Sequence, residues 1–330
     1  MMEIHLLKKT PDLRAFAEIR LMSLEDGAGR GQRVLVARNS AGVAFEVAVD
    51  RGFDISALFV CGINVGWHSA TQMPFPPADP SSEDGWAFLR NFDGFMVTCG
   101  LDHFGRPEKV DIRHYGHPHL TTVTAPMHGR IATSRATISS YGVDPDTGEI
   151  HCEGIVRQAS VFGKTLELRR KISLPMSRND LIVEDTVTNR GFRPARHAVL
   201  YHLNWGHPFL DEALDFSGFP DDLCADLRAD RRVPSDDYGE RVNNIESSTI
   251  AQSGITLRNT NLGISATLSF STETLPNLTI WRAYQSGIFA LGIEPRTESP
   301  PSQVLLNPGE RQKYRLQIGL KHTRYRAWSN

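Results

Sequence analysis

"AVLYHLNWGHPFLDE", residues 198–212, is the stretch on which the fold turns. Tyr201 and Leu203 fall on one side of a period-two pattern, His202 and Asn204 on the other, which is the alternation of a strand with one buried face. Trp205-Gly206-His207-Pro208 then breaks the run. A hydrophobic strand thus carries an imidazole and an amide on one face just before it ends. The same alternation extends outward in both directions. "VAFEVAVD" (43–50) aligns Phe45, Val47 and Val49, and "TLELRRKISL" (165–174) aligns Leu166, Leu168, Arg170, Ile172 and Leu174. "DLIVEDTVTN", "GISATLSFS", "LTIWRAY", "GIFALGIEP" and "KYRLQIGL" share this character, separated by turn-rich "DPDTGE", "SRND", "NRGFRP" and "NPGE". Only "TPDLRAFAEIRLMSL" has a helical trace, and residues 15–24 within it read equally well as a strand. "GAGRGQ" (27–32) lies between strands and reads as a hairpin turn. Many short strands with almost no helix predict an all-β chain, a large antiparallel sandwich forming one domain over 1–330. Residues 213–248, rich in charge and proline, are expected to form a long loop, a short helix or a lid.

Composition narrows the function. Hydrophobic residues make up 40% and charged residues 22%, with a formal net charge of -2. That balance offers no general attraction to nucleic acid or to anionic membranes. Cys61, Cys99, Cys152 and Cys224 are widely spaced with no CxxC pair, and the N-terminal "MMEIHLLKKTPDLR" has no export-like apolar run. Reduced thiols in a cytoplasmic protein are the expectation. No stretch approaches the roughly 18–20 apolar residues of a membrane span. G-x-S-x-G, Walker and G-x-G-x-x-G signatures after a strand are missing. "RHYGHPHL" supplies His114, His117 and His119, but loop histidines are the expected reading and no metal or cofactor is predicted.

Three stretches combine reactive groups with strand context. In the opening stretch, His202 is either a structurally satisfied histidine or a proton donor. In "SGIFALGIEPRTESP", Phe289, Leu291 and Ile293 share an apolar face, while Ala290, Gly292 and Glu294 share the other. Two small residues beside a carboxylate leave room for a ligand against the sheet, and Pro295 is expected to end ladder pairing there. In "APMHGRIATSRA", Gly129 permits an unusual backbone between His128 and Arg130.

Taken in order, "DRGFDISALFVCGINVGWHS", "FLRNFDGFMVTCGLDHFG", "MHGRIATSRA", "YHLNWGHPF", "WRAY", "LGIEPRT" and "LNPGERQKYRLQI" resemble the aldose 1-epimerase (galactose mutarotase-like) superfamily, and within it a divergent branch. The resemblance runs from about Arg33 to Leu320. It implies a large β-sandwich with a sugar-binding groove across one concave sheet. It also implies a cofactor-independent mutarotase, with His202 as general acid, Glu294 as general base and His128 as a second histidine near the ring oxygen. His202 is followed here by Leu203-Asn204-Trp205-Gly206, where the best-known mutarotases have an aromatic pair and an asparagine. Opening a pyranose requires taking the proton of the anomeric hydroxyl and giving one to the ring oxygen, which suits a carboxylate beside an imidazole.

Trp67 and Trp281 are candidate apolar platforms for sugar C–H groups, and Asn204, Arg90, Arg130 and Arg282 are candidate hydrogen-bond donors to hydroxyls. Arg130, Arg282 and Arg296 together would suit an acidic sugar. The expected partner is a monosaccharide, neutral, deoxy or acidic, bound by a monomer or homodimer. Rival readings are a non-catalytic sugar-binding or sensing protein on the same fold, and a lyase or isomerase acting on a sugar acid.

Overall fold

Alternating strands of this length must bury their apolar faces against one another, and they do so as two sheets. The computed structural model describes residues 8–299 and 304–323. The larger sheet has eleven strands; its main path runs Ala17–Ser23, Arg33–Asn39, Val43–Ala48, Asp54–Val60, Met96–Leu101, Ala195–Trp205, Ala290–Arg296, Asn277–Ala283 and Arg241–Glu246. The second has eight, with Arg311–His322 and Asp180–Asn189 adjacent at its middle. All strand pairs are antiparallel. The main core lies between the sheets and takes Tyr201, Leu203, Leu291 and Ile293 from the larger one, with Leu168, Ile172 and Leu316 from the other. A second apolar cluster, including Phe88, Phe92, Phe104, Leu200 and Ala290, covers the opposite face of the larger sheet.

The strand Ala195–Trp205, called here the histidine strand, sits near the middle of its sheet. Its partners are Met96–Leu101, with His202 opposite Val97, and the glutamate strand Ala290–Arg296, with Asn204 opposite Gly292. Pro295 does not end the glutamate strand, contrary to the sequence expectation. Pairing with Asn277–Ala283 continues through Leu278↔Pro295 and Asn277↔Arg296. The interruption falls on the other flank instead. Pairing with the histidine strand runs Leu203↔Ile293 and then Leu200↔Arg296, skipping the Tyr201/Pro295 and His202/Glu294 positions. Proline has no N–H to give to that ladder. The break therefore leaves the sheet intact and lies beside Glu294.

Residues 17–23 resolve the helix-or-strand ambiguity as a strand paired in register with Arg33–Asn39, and the "GAGRGQ" segment connects the two. Residues 213–248 contain more order than a lid requires. They hold the strand Leu214–Ser217, the helix Asp221–Ala229 and the strand Arg241–Glu246, the last being an edge of the larger sheet.

Arg170, placed by its period in an apolar row, is 0% exposed. Its guanidinium bridges the sheets, donating to Asp54 Oδ1 (2.6 Å), Asp185 Oδ1 and Oδ2 (2.9 and 2.7 Å) and Thr98 Oγ1 (2.8 Å). Tyr201 donates its hydroxyl to the same Asp185 carboxylate at 2.8 Å. A buried cation is tolerable only when carboxylates and hydrogen bonds replace its hydration. The four cysteines are free, and no described helix is long and apolar enough to cross a membrane.

Candidate active site

Period two sends Tyr201 into the core and His202 to the outer face, and the same rule sends Ile293 inward and Glu294 outward. Register then makes His202 and Glu294 cross-strand neighbours, with Nε2 3.1 Å from Oε1. Both are nearly enclosed, at 4% and 3% exposure. The contact is close but poorly directed for a hydrogen bond: Glu294 Oε1 and His202 Nδ1 are both buried without a hydrogen-bond partner. Gly292 makes the approach possible. A Cβ there would lie 2.6 Å from Glu294 Oε1 and 3.0 Å from His202 Cε1.

His128 reaches the same place from a loop. It adopts φ 56°, followed by Gly129 at φ 76°. This turn docks as a parallel bridge on Gly100, with Gly100 N donating to His128 O (2.9 Å) and Arg130 N to Gly100 O (3.1 Å). A Cβ on Gly129 would sit 2.1 Å from Gly100 O, so the docking demands glycine. The His128 ring lies 5.9 Å from that of His202, centroid to centroid. Gly105 N donates to His128 Nδ1 at 3.4 Å, a long contact that favours the tautomer with the proton on Nε2.

Above the pair lies a cleft of about 630 Å³. Phe92 and Trp281 meet the His202 ring edge-on at 4.8 and 5.3 Å, and Phe88 lies 4.8 Å from His128. Thr279, Asn244 and Arg296 line one side, and Glu240 and Arg106 also border it. Burial in this setting favours neutral groups. It pushes Glu294 up to about 8, against the opposing charge of Arg296. Burial, reinforced by His128, holds His202 well below its ordinary value, and burial brings His128 down to about 4.

The remaining candidates are dispersed. Trp281 faces the cleft, whereas Trp67 is buried behind it, its ring tilted against Phe92 with centroids 5.0 Å apart and Nε1 donating to Ile288 O. Asn204 is fully buried and ties the histidine strand to its neighbours: Nδ2 donates to Gly94 O (2.9 Å), and its backbone carbonyl accepts from Trp67 N (3.0 Å). Arg90 is exposed on a short turn and pairs with Glu83. Arg130 donates to Ser81 Oγ and Thr124 O and lines a separate cavity of about 290 Å³ with Asp102, Gln158 and Lys164. Arg282 lies on the inward parity of its strand and is held by Asp226 (2.7 Å), Asp230 (3.0 Å) and Asn243 (2.6 Å). The three-arginine anion site therefore does not assemble; only Arg296 lines the cleft with the His–Glu pair. The loop histidines His117 and His119 lie outside the cleft, and His117 Nδ1 accepts from the backbone N–H groups of His119 and Leu120. The sequence reading also left out Phe88, Phe92, Thr279 and Asn244. The "FLRNF" spacing puts the two phenylalanines four residues apart, a signal that was available; Asn244 is brought in only by strand pairing.

A sandwich of this topology, with a histidine and a glutamate meeting on the outer face of its larger sheet, is a galactose mutarotase-like fold. The chain belongs to the family defined by a domain of unknown function, DUF4432, whose model matches residues 29–320. No protein of curated function matches it. Among solved structures it is similar to a provisionally assigned aldose 1-epimerase from Klebsiella pneumoniae subsp. pneumoniae, with 22% identity, TM-score 0.77, and 93% of this chain and 84% of that one covered. A galactose mutarotase-like protein from Clostridium acetobutylicum aligns with 13% identity, TM-score 0.63, and coverage of 94% and 100%. Galactose 1-epimerase from Lactobacillus acidophilus aligns with 10% identity, TM-score 0.55, and coverage of 92% and 98%. At these identities the likeness is one of fold.

Proposed function

We propose that the protein is a cofactor-independent sugar mutarotase, with His202 and Glu294 moving the protons that open and close a pyranose ring. The observation that carries this reading is the buried Nε2···Oε1 approach of 3.1 Å at the floor of an aromatic-lined cleft, with hydrogen-bonding capacity on both residues left unused. Two titratable groups held together, enclosed and unsatisfied, form a site that a polar ligand completes.

The chemistry needs one proton shared by the pair. With that proton on His202, Glu294 as carboxylate takes the proton of the anomeric hydroxyl while the imidazolium protonates the ring oxygen. The C1–O5 bond breaks, and an aldehyde remains beside a protonated Glu294 and a neutral His202. Rotation about C1–C2 presents the other carbonyl face; Glu294 then returns its proton to O1 as His202 takes the one on O5. Burial favours the neutral pair, which is the protonation state that the mechanism assigns to the complex with the ring-opened sugar. His128, offering Nε2–H, is assigned to the ring-oxygen side, and Trp281 and Phe92 to the apolar faces of the sugar.

The test is anomer exchange by NMR saturation transfer for a panel of aldoses, with protein, with buffer alone and with Glu294→Gln. Acceleration lost in the variant supports the reading. Background rates for every sugar that nonetheless binds would move it to the carbohydrate-binding alternative.

A further inference from the structure

The cleft holds a half-enclosed cation, Arg296, that no carboxylate among the described residues contacts directly. Arg296 lines it two residues beyond Glu294 on the same strand face. Its guanidinium donates only to neutral acceptors: Thr279 Oγ1 (2.9 Å), Thr297 O (3.3 Å), Ser299 Oγ (3.2 Å) and Asn244 Oδ1 (3.4 Å). Two of these four contacts are longer than ordinary N–H···O bonds, and a third lies at the upper limit. Phe104 lies under the guanidinium, 5.8 Å from ring centroid to Cζ. No ion pair reaches Arg296 among the described residues. This contrasts with Arg282, one strand away, which has two aspartates. Two carboxylates stand two residues away along the chain: Glu298 is exposed to solvent and acts on Arg296 only through space without forming an ion pair, and Glu294 leans toward its neutral form, so neither fully balances the cation. Arg106 and Glu240, also on the cleft wall, are both exposed and of opposite sign.

We infer that Arg296 binds the carboxylate of a sugar acid, so that the substrate is a uronate-type pyranose with its anomeric carbon at His202 and Glu294. This rests on the mutarotase reading for the position of C1. Same-face residues two apart on a strand are separated by about 6.6 Å, comparable with the span from the anomeric hydroxyl of a pyranose to the oxygens of a carboxylate at C6. A planar guanidinium with spare N–H capacity matches a planar monoanion. A phosphate dianion would call for more than this one inner cation. Enclosure of the guanidinium, which lowers its own proton affinity, also raises the gain from an incoming counter-charge.

The test compares glucuronate with glucose, galacturonate with galactose, and the corresponding 6-phosphates, measuring both anomer exchange and binding by calorimetry. Wild type is run beside Arg296→Gln and Arg296→Lys. The expected result is faster exchange of uronates than of their neutral parents. That preference, as a ratio of KM values, should fall about 10- to 100-fold in Arg296→Gln, the range for a lost hydrogen bond to a charged group, and be partly kept in Arg296→Lys. Equal handling of acid and neutral sugars by wild type, or an acid preference that survives Arg296→Gln, overturns the inference and leaves mutarotation standing. A stronger response to 6-phosphates overturns the carboxylate assignment. Uronate binding that depends on Arg296, with no accelerated exchange of any sugar, supports the anion site and overturns the mutarotase reading. Absence of both uronate binding and uronate exchange overturns the inference.

Discussion

Two clusters of buried polar groups lie back to back on the larger sheet and behave in opposite ways. On the core side, Arg170 spends its donors on Asp54, Asp185 and Thr98, and Tyr201 completes Asp185. On the cleft side, one residue further along the same strand, His202 meets Glu294 at 3.1 Å while Nδ1 and Oε1 stay unpartnered. Burial alone does not separate them, since both are almost wholly enclosed. Satisfaction does. A cluster whose partners are all present fixes one geometry and has nothing left to offer a ligand. A cluster that carries the cost of desolvation with open valences has its partner still to come.

The largest effect that would sharpen this contrast is loss of exchange activity. His202→Ala and Glu294→Ala should each reduce turnover by about 10²- to 10⁴-fold while leaving the urea midpoint close to wild type; rates near wild type in either variant would break the assignment. Arg170→Met should do the reverse in kind. It strands Asp54 and Asp185 in the core, and a stability loss of about 3–5 kcal/mol is expected in urea unfolding. Next in size is Gly292→Ala, which puts a methyl group 2.6 Å from Glu294 Oε1. Displacing the pair should lower turnover about 10²-fold with the far-ultraviolet spectrum unchanged, and full activity would mean that the spacing of the pair is immaterial.

The smallest effects are those of pH. A reactive pair with one shared proton should lose kcat/KM as pH rises above about 8, where Glu294 gives it up. On stability, the folded value of Glu294 lies above its ordinary value of 4.5, so the folded state binds the extra proton between those limits. The contribution is full below about 4.5 and is lost as pH rises through about 8. His202 has the opposite sign: its folded value is depressed, so its contribution is full above 6.5 and is lost as pH falls through the lower folded value. Glu294→Gln should therefore gain a few degrees in Tm relative to wild type at pH 9 against pH 6, and parallel pH profiles for the two proteins would remove the argument.

Much of this was legible before any fold was built. Period two alone put His202 opposite Tyr201 and Glu294 opposite Ile293, and small Gly292 marked the cleared side. What misled was reading charge by residue type. Arg282 and Arg296 stand fourteen positions apart on paired strands, yet the aspartates that occupy Arg282 come from a helix and the loop after it, at 226 and 230. Pro295 misled similarly, because a missing donor stops only the ladder it would have joined, and its other flank pairs normally.

The sequence by itself determined the all-β class, the inward and outward faces of each strand and the residue types able to move protons, because strand periodicity is a local property of the backbone. Only the tertiary structure decided that His202 and Glu294 meet, that His128 joins them through a glycine bridge on Gly100, and that Arg296 alone of three arginines lines the cleft, with no ion pair among the described residues. Those outcomes depend on register and loop docking between residues as much as a hundred positions apart, and on the loss of water around them, neither of which a local pattern encodes.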